Sequence, residues 1–335
     1  MVVAGGMIVQ SAVGITIDTV YVGGLGNAND PTTGFGAVNY GYSVGRYEVT
    51  LNQYTAFLNA VGAADPYGLY NTAMGSNPNI MGIARSGLSG GYTYSVIGSG
   101  DRPVTYVSWY DSVRFVNWLH NGQPAGAQAA GTTETGAYTL NGAMSGVVFR
   151  NADATFALPT ENEWYKAAYH QPALQGGDSD DYWLYPTANN THPNSLNGSL
   201  DDPNCANVFL LSAHGYAVTQ SAVYSPNEQY LTDVGAFRLA DSYYGTFDQG
   251  GNVWEWHAAE EMSGTGIRGG GWEETGFGPT MAGPFRLNNF NPDGFNPTAE
   301  RDNLGFRIVH VPEPSAAALA ACGLTLLAWR RRFSR

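Results

Sequence analysis

The sequence predicts a single domain of mixed helix and strand, rich in loops and turns. Three observations carry that reading. First, among 335 residues there are 44 glycines, Asn, Ser and Thr are frequent, and charged residues make up only 13%, about half the usual share. That composition does not suit a helical bundle. Second, three separate amphipathic helices are written into the chain, each after a short strand-like lead. Third, there is no internal repeat and no linker strong enough to divide the chain. Eight tryptophans, 21 tyrosines and 14 phenylalanines supply apolar area for one sizeable core.

The elements follow in order. MVVAGGMIVQSAVG, residues 1–14, is apolar but has no basic start, so it reads as the remnant of an export signal or as a first strand. The domain is expected over 15–311. YSVGRYEV leads into TLNQYTAFLNAVG, where Thr50 and Gln53 have the spacing of a capping box. Tyr54, Phe57, Leu58 and Val61 then fall at i, i+3, i+4 and i+7 on one apolar face. Gly62 stands where a C′ glycine belongs. Residues 63–100 are Gly, Ser and Asn rich and read as a surface excursion. RPVTYV leads into SWYDSVRFVNWLHNG, opened by Ser108 and Asp111 and followed by Gly122. Residues 120–150 read as a second excursion. TFALP leads into TENEWYKAAYH, opened by Thr160 and Glu163. Residues 170–250 alternate polar turns with short apolar pieces such as NVFLL.

Charge and cysteine usage exclude several classes. The formal net charge is −13, and four of the 15 basic residues, Arg330, Arg331, Arg332 and Arg335, crowd the last six positions. Such a surface repels phosphate backbones, so nucleic acid is not expected as a partner. The two cysteines, Cys205 and Cys322, cannot make a disulfide framework or a CxxC metal site. The six histidines form no HxxxH or HExxH pair.

The C-terminus, 312–335, has three parts. Pro312-Glu313-Pro314 precedes an apolar run from Ala316 to Trp329, and an arginine cluster follows. The run is short for a free-standing membrane span, which needs roughly 20 residues. The order and spacing resemble the PEP-CTERM sorting signal of exported bacterial proteins. That resemblance implies an exosortase-type processing protease as partner, transient membrane anchoring through the tail, and a final place in the cell envelope or outside the cell.

Six segments in the body of the chain resemble, in order, the formylglycine-generating enzyme or sulfatase-modifying factor family. They are GRYEVTLNQYTAFLN (45–59), RPVTYVSWYDSVRFVNWL (102–119), FALPTENEWYKAAY (156–169), YGTFDQGGNVWEW (244–256), RGGGW (268–272) and NLGFRIV (303–309). The resemblance implies an α+β fold of low regular content, an elaborated C-type-lectin-like domain. It implies bound calcium. In catalytic members it also implies two cysteines that work with copper and oxygen to convert a substrate cysteine to formylglycine. Glu274 and Pro279 stand at the places of those two cysteines. A carboxylate cannot replace a soft thiolate on copper(I), and proline brings no functional side chain. No catalytic residue and no copper are therefore expected.

Calcium takes six to eight oxygens, carboxylates and carbonyls mixed. DQGGNVWEWH gathers Asp248, Asn252 and Glu255 within eight residues. By resemblance one calcium would take Asp248 and the carbonyls of Gly251 and Val253. A second would take Asn207 and the Val208 carbonyl, with further ligands near Asn227. Glu255 is expected instead to pair with a buried arginine such as Arg307. The rim residues Trp272, Glu273, Glu274 and Arg286 form a candidate ligand pocket, where a tryptophan face could stack on a sugar ring. The expected function is a calcium-stabilised extracellular binding module for a glycan or protein. The competing expectation is an enzyme of this family, or one of unknown reaction using Glu274.

Overall fold

The computed structural model describes residues 14–196, 202–210, 214–258, 265–273 and 296–311. Its elements are few and short. Strands β1 (Thr19–Val22) and β2 (Tyr42–Gly45) precede helix α1 (Leu51–Val61). Hairpin β3 (Ile83–Ser86) and β4 (Thr93–Val96) precede α2 (Trp109–His120). Then come β5 (Phe156–Ala157), α3 (Glu161–Tyr169), β6 (Phe209–Leu210), β7 (Gly215–Tyr216), β8 (Trp254–Trp256), β9 (Ile267–Arg268), β10 (Leu304–Phe306) and β11 (Val309–His310).

All three helices begin where the sequence places them, and for the expected reason. Thr50, Ser108 and Thr160 each accept the backbone N–H of the residue three on. Gln53, Asp111 and Glu163 each return a bond to the cap's own N–H, closing three capping boxes. The four α1 residues read as one apolar face are all buried. Gly62 ends α1 but with φ −94°, outside the left-handed region. Its need is space, since a Cβ there would lie 2.6 Å from the Leu58 carbonyl oxygen. Gly122, with φ +80°, is the left-handed glycine that follows α2.

Helix α2 differs from its reading. Every residue from Trp109 to Leu119 is buried, so it has no solvent face. The cause is the stretch 127–150, which folds back over it and is no mere surface excursion. Arg114 pairs with Glu134 (Nε to Oε1 2.7 Å), and Asn117 donates to the carbonyls of Thr133 (2.7 Å) and Tyr138 (3.0 Å). Polar α2 side chains are thus satisfied by loop backbone, which burial requires. The 63–100 stretch likewise contributes Leu69, Tyr70, Met74, Ile83 and Tyr94 to the core.

The strands make a four-stranded antiparallel sheet, β1-β2-β11-β5, and a three-stranded one, β10-β8-β9. In the second, β8 runs parallel to β10 and antiparallel to β9. RPVTYV, expected to be strand-like, forms only an isolated bridge between Pro103 and Thr50. Phe115 of α2 packs edge-on against Phe57 of α1 and Phe306 of β10, both with centroids 5.4 Å away. The helices and the three-stranded sheet therefore share one core, and the molecule is a single α+β domain of low regular content. Among the described residues no helix is long and apolar enough to cross a membrane, and the 312–335 tail lies outside them.

Candidate functional site

The centre of the domain is a set of buried charges where β8 and β10 meet. The β8 sequence WEW is buried on both faces, so Glu255 points into protein. Arg307, just past β10, donates to both its oxygens, Nε to Oε2 at 2.5 Å and Nη2 to Oε1 at 2.6 Å. Trp164 of α3 adds its indole N–H to Oε2 at 2.7 Å. The expected Glu255–Arg307 pair is therefore present. This glutamate is a structural tie and offers no free oxygen for chemistry.

Asp248 and Glu48 sit beside that tie. Asp248 has φ +58° and accepts the Gly235 N–H at 2.6 Å. Burial, opposed by that N–H bond and by Arg307, pushes its carboxyl up to about 6. Glu48 is raised well above the carboxylate range, by burial first and then by the charge of Asp248. Its Oε1 accepts from Asn252 at 3.3 Å, while its Oε2 is buried with no hydrogen-bond partner among the described residues. Asn252 in turn accepts from the Asn207 amide at 2.9 Å and from the Thr232 N–H at 3.2 Å. The Asn252 N–H donates to the Asn207 carbonyl at 2.8 Å. Chain segments near 48, 207, 232 and 248–252 thus converge on one buried polar knot.

The calcium sets that the family resemblance implies fall in and around this knot. Asn207 joins the turn that carries Asp248, Gly251 and Val253 directly, so the two expected groups are neighbours. Among the described residues no group of three or more His, Cys, Asp or Glu could hold a metal. The expected ligands consist mainly of carbonyl and amide oxygens, with one carboxylate. Two neighbouring carboxylates, Glu48 buried with an unpartnered oxygen and Asp248 half-buried, are chemically suited to a hard cation. Glu48 escaped the sequence reading. Its one signal was an acid held between Tyr47 and Val49 in an apolar lead.

The Arg268-Gly-Gly-Gly-Trp272 run has a backbone explanation. Gly269 and Gly270 have φ +104° and +79°, and a Cβ on Gly271 would lie 3.0 Å from that of Asn303. Two of these glycines serve left-handed backbone and one serves close approach. Arg268 is buried, donates to Glu161 (Nε to Oε1 2.9 Å) and lies over the rings of Phe35 and Tyr165.

Trp272 is only 2% exposed, and its ring stacks on Tyr230 at 4.6 Å with 8° between planes. The stacking face expected of it is taken by the protein itself. Tyr224, 50% exposed, lies on Tyr230 at 5.7 Å and is the outward end of this three-ring stack. Glu273 is exposed and accepts from Asn303 at 2.8 Å. Glu274, Arg286 and Pro279 lie outside the described residues.

Cys205 is free and buried, and burial together with Asp202 pushes its thiol up to about 12. A thiol held that high is almost wholly protonated near neutral pH and is a poor nucleophile or metal ligand.

The fold and its central knot define a class: one domain of low regular content, held by buried ion pairs and loop turns. The chain matches the family model of the sulfatase-modifying factor enzyme 1-like domain over residues 3–311, and it belongs to that family. No curated protein matches the chain. Among solved structures it is similar to one titled "Crystal Structure of CarF", with 20% identity over 89% of this chain and 99% of that one, at a TM-score of 0.47. It is also similar to Treponema denticola variable protein 1, with 16% identity, 90% and 98% coverage and a TM-score of 0.45. A third is PvdO from Pseudomonas aeruginosa, with 16% identity, 88% and 92% coverage and a TM-score of 0.42.

Proposed function

We propose that this chain is a family member without the thiol oxidase activity, working as a calcium-stabilised binding module exported from the cell. The state of Cys205 carries the proposal. It is one of two cysteines in the sequence, and its thiol is buried and raised to about 12. The second, Cys322, belongs to the apolar tail segment, and Glu274 and Pro279 stand where the resemblance implies catalytic thiols. A copper-dependent thiol oxidation needs two accessible thiolates, and this chain offers no such pair.

The calcium part rests on the Glu48–Asp248 pair and on the amide and carbonyl oxygens of Asn207, Val208, Gly251 and Val253. A bound dication would offset the burial that raises both carboxyls and, at Glu48, the added charge of Asp248. The export part rests on the 312–335 sequence, which suits an exosortase-type protease as processing partner and the cell envelope or exterior as destination.

The test is direct. The purified protein, with copper and oxygen, is incubated with a Cys-x-Pro-x-Arg peptide, and the peptide is weighed. Its mass should stay unchanged. A loss of about 18 mass units, the change from thiol to aldehyde, refutes the proposal.

A further inference from the structure

A cleft of about 360 Å³ opens between the loop 26–40 and the start of α3. It shares no lining residue with the buried knot or with the RGGGW run. Gly26, Asn27, Ala37, Val38, Asn39, Tyr40, Thr160 and Asn162 line it, and none of these is charged. Its volume is within the range of small-molecule sites.

The loop is pinned in place. Asn27 accepts from the Val38 N–H at 3.2 Å and donates to the Gly36 carbonyl at 2.7 Å and the Tyr182 hydroxyl at 2.8 Å. Asn162 accepts from the Gly36 N–H at 2.8 Å. The sole lysine, Lys166, is buried and donates to the Gly24 carbonyl at 2.9 Å. Tyr40 donates its hydroxyl to Glu163 at 2.6 Å, which fixes its ring at the cleft wall. A wall this tied down loses little freedom when a ligand arrives.

The lining selects the ligand's chemistry. A helix N-terminus ordinarily favours anions. Here the first turn of α3 supplies its own, Glu161 and Glu163. Each is already matched, Glu161 by Arg268 and Glu163 by Arg150 at 3.1 Å. Neither an anion nor a cation finds an unmatched charge in the cleft. Side-chain amides, a threonine hydroxyl and one tyrosine ring remain. Amides both donate and accept, as vicinal hydroxyls require, and an aromatic ring suits the C–H face of a pyranose.

We infer that this cleft binds a neutral saccharide unit, with Asn39 and Asn162 meeting hydroxyls and the Tyr40 ring beside the sugar. The inference rests on the binding-module reading and gives it a site and a ligand class. The experiment uses the full chain on an array of neutral gluco-, manno- and galacto-oligosaccharides beside their uronate and sulfated counterparts. Titration calorimetry with the best neutral oligosaccharide follows. Ala37 and Asn39 are both exposed, so their variants should keep the parent melting curve. Ala37→Trp fills the cleft and should abolish binding. Asn39→Ala should weaken it about tenfold, the loss of one or two hydrogen bonds. Silence of every neutral saccharide, preference for the charged counterparts, or affinity unchanged by Ala37→Trp overturns the inference. Saccharide binding that survives Ala37→Trp leaves the binding-module reading standing without this cleft. Oxidation of the cysteine peptide removes that reading itself.

Discussion

Arg307 is fully buried, and each of its five N–H groups has an acceptor: two on Glu255 and the carbonyls of Gly45, Arg46 and Phe247. One side chain thus joins β8, the end of β2 and the turn before Asp248. Removing it leaves a buried glutamate with only the Trp164 indole. Arg307→Met should cost about 3–5 kcal/mol in urea unfolding. Adding Glu255→Leu should restore part of that, because the stranded charge goes as well. A single variant with parent stability would show that the pair contributes nothing. The pairing was legible from the sequence, since WEW puts one charge inside an apolar strand and GFR puts one directly after another. The third partner, Trp164, was not, because its own segment says nothing about a strand some 90 residues on.

Helix α2 makes the same point for an element. Its start was legible because a capping box is local, needing only Ser108 and Asp111 three residues apart. Its complete burial was not, because the covering loop is read only through contacts far along the chain. The strands were less legible still. Two to four residues carry little periodicity, and partners such as Val309 and Ala157 lie more than 150 residues apart. Burial has a cost at Asp111. Desolvation raises its carboxyl to about 7 from the usual 3.8, although Ser108 donates to it from both N–H and hydroxyl. The folded state therefore holds the proton more tightly than the unfolded chain. This group's contribution to stability is full below about pH 3.8 and is lost as pH rises through about 7. Asp111→Asn should flatten that part of the stability–pH curve. The slope removed is at most about 1.4 kcal/mol per pH unit, the value for one proton. An identical slope in parent and variant would show that Asp111 does not titrate in this range.

At the scale of the molecule, the buried polar knot draws on segments near residues 48, 207, 232 and 248–252, so a cation held there would bridge distant parts of the chain. Calcium that binds only the folded form adds RT ln(1 + [L]/Kd), about 2.7 kcal/mol at a hundred times Kd. Chelation should lower the melting temperature, and Asp248→Ala should remove most of that response. Superimposed melting curves with and without chelator would rule out a stabilising ion. Asp248 could be read as a ligand type in the sequence and Asn207 only through the family resemblance, but their convergence with Glu48 could not, since no spacing rule links positions so far apart. The parallel pairing of β8 with β10 has another consequence. The chain leaves this sheet after Arg268 and re-enters it at Leu304. Both ends of that excursion are held by β8: Glu255 faces Arg268, and Trp254 faces Leu304. A substitution that loosens this one short strand would therefore free both anchor points at once, and the departure and return of the chain stand or fall together.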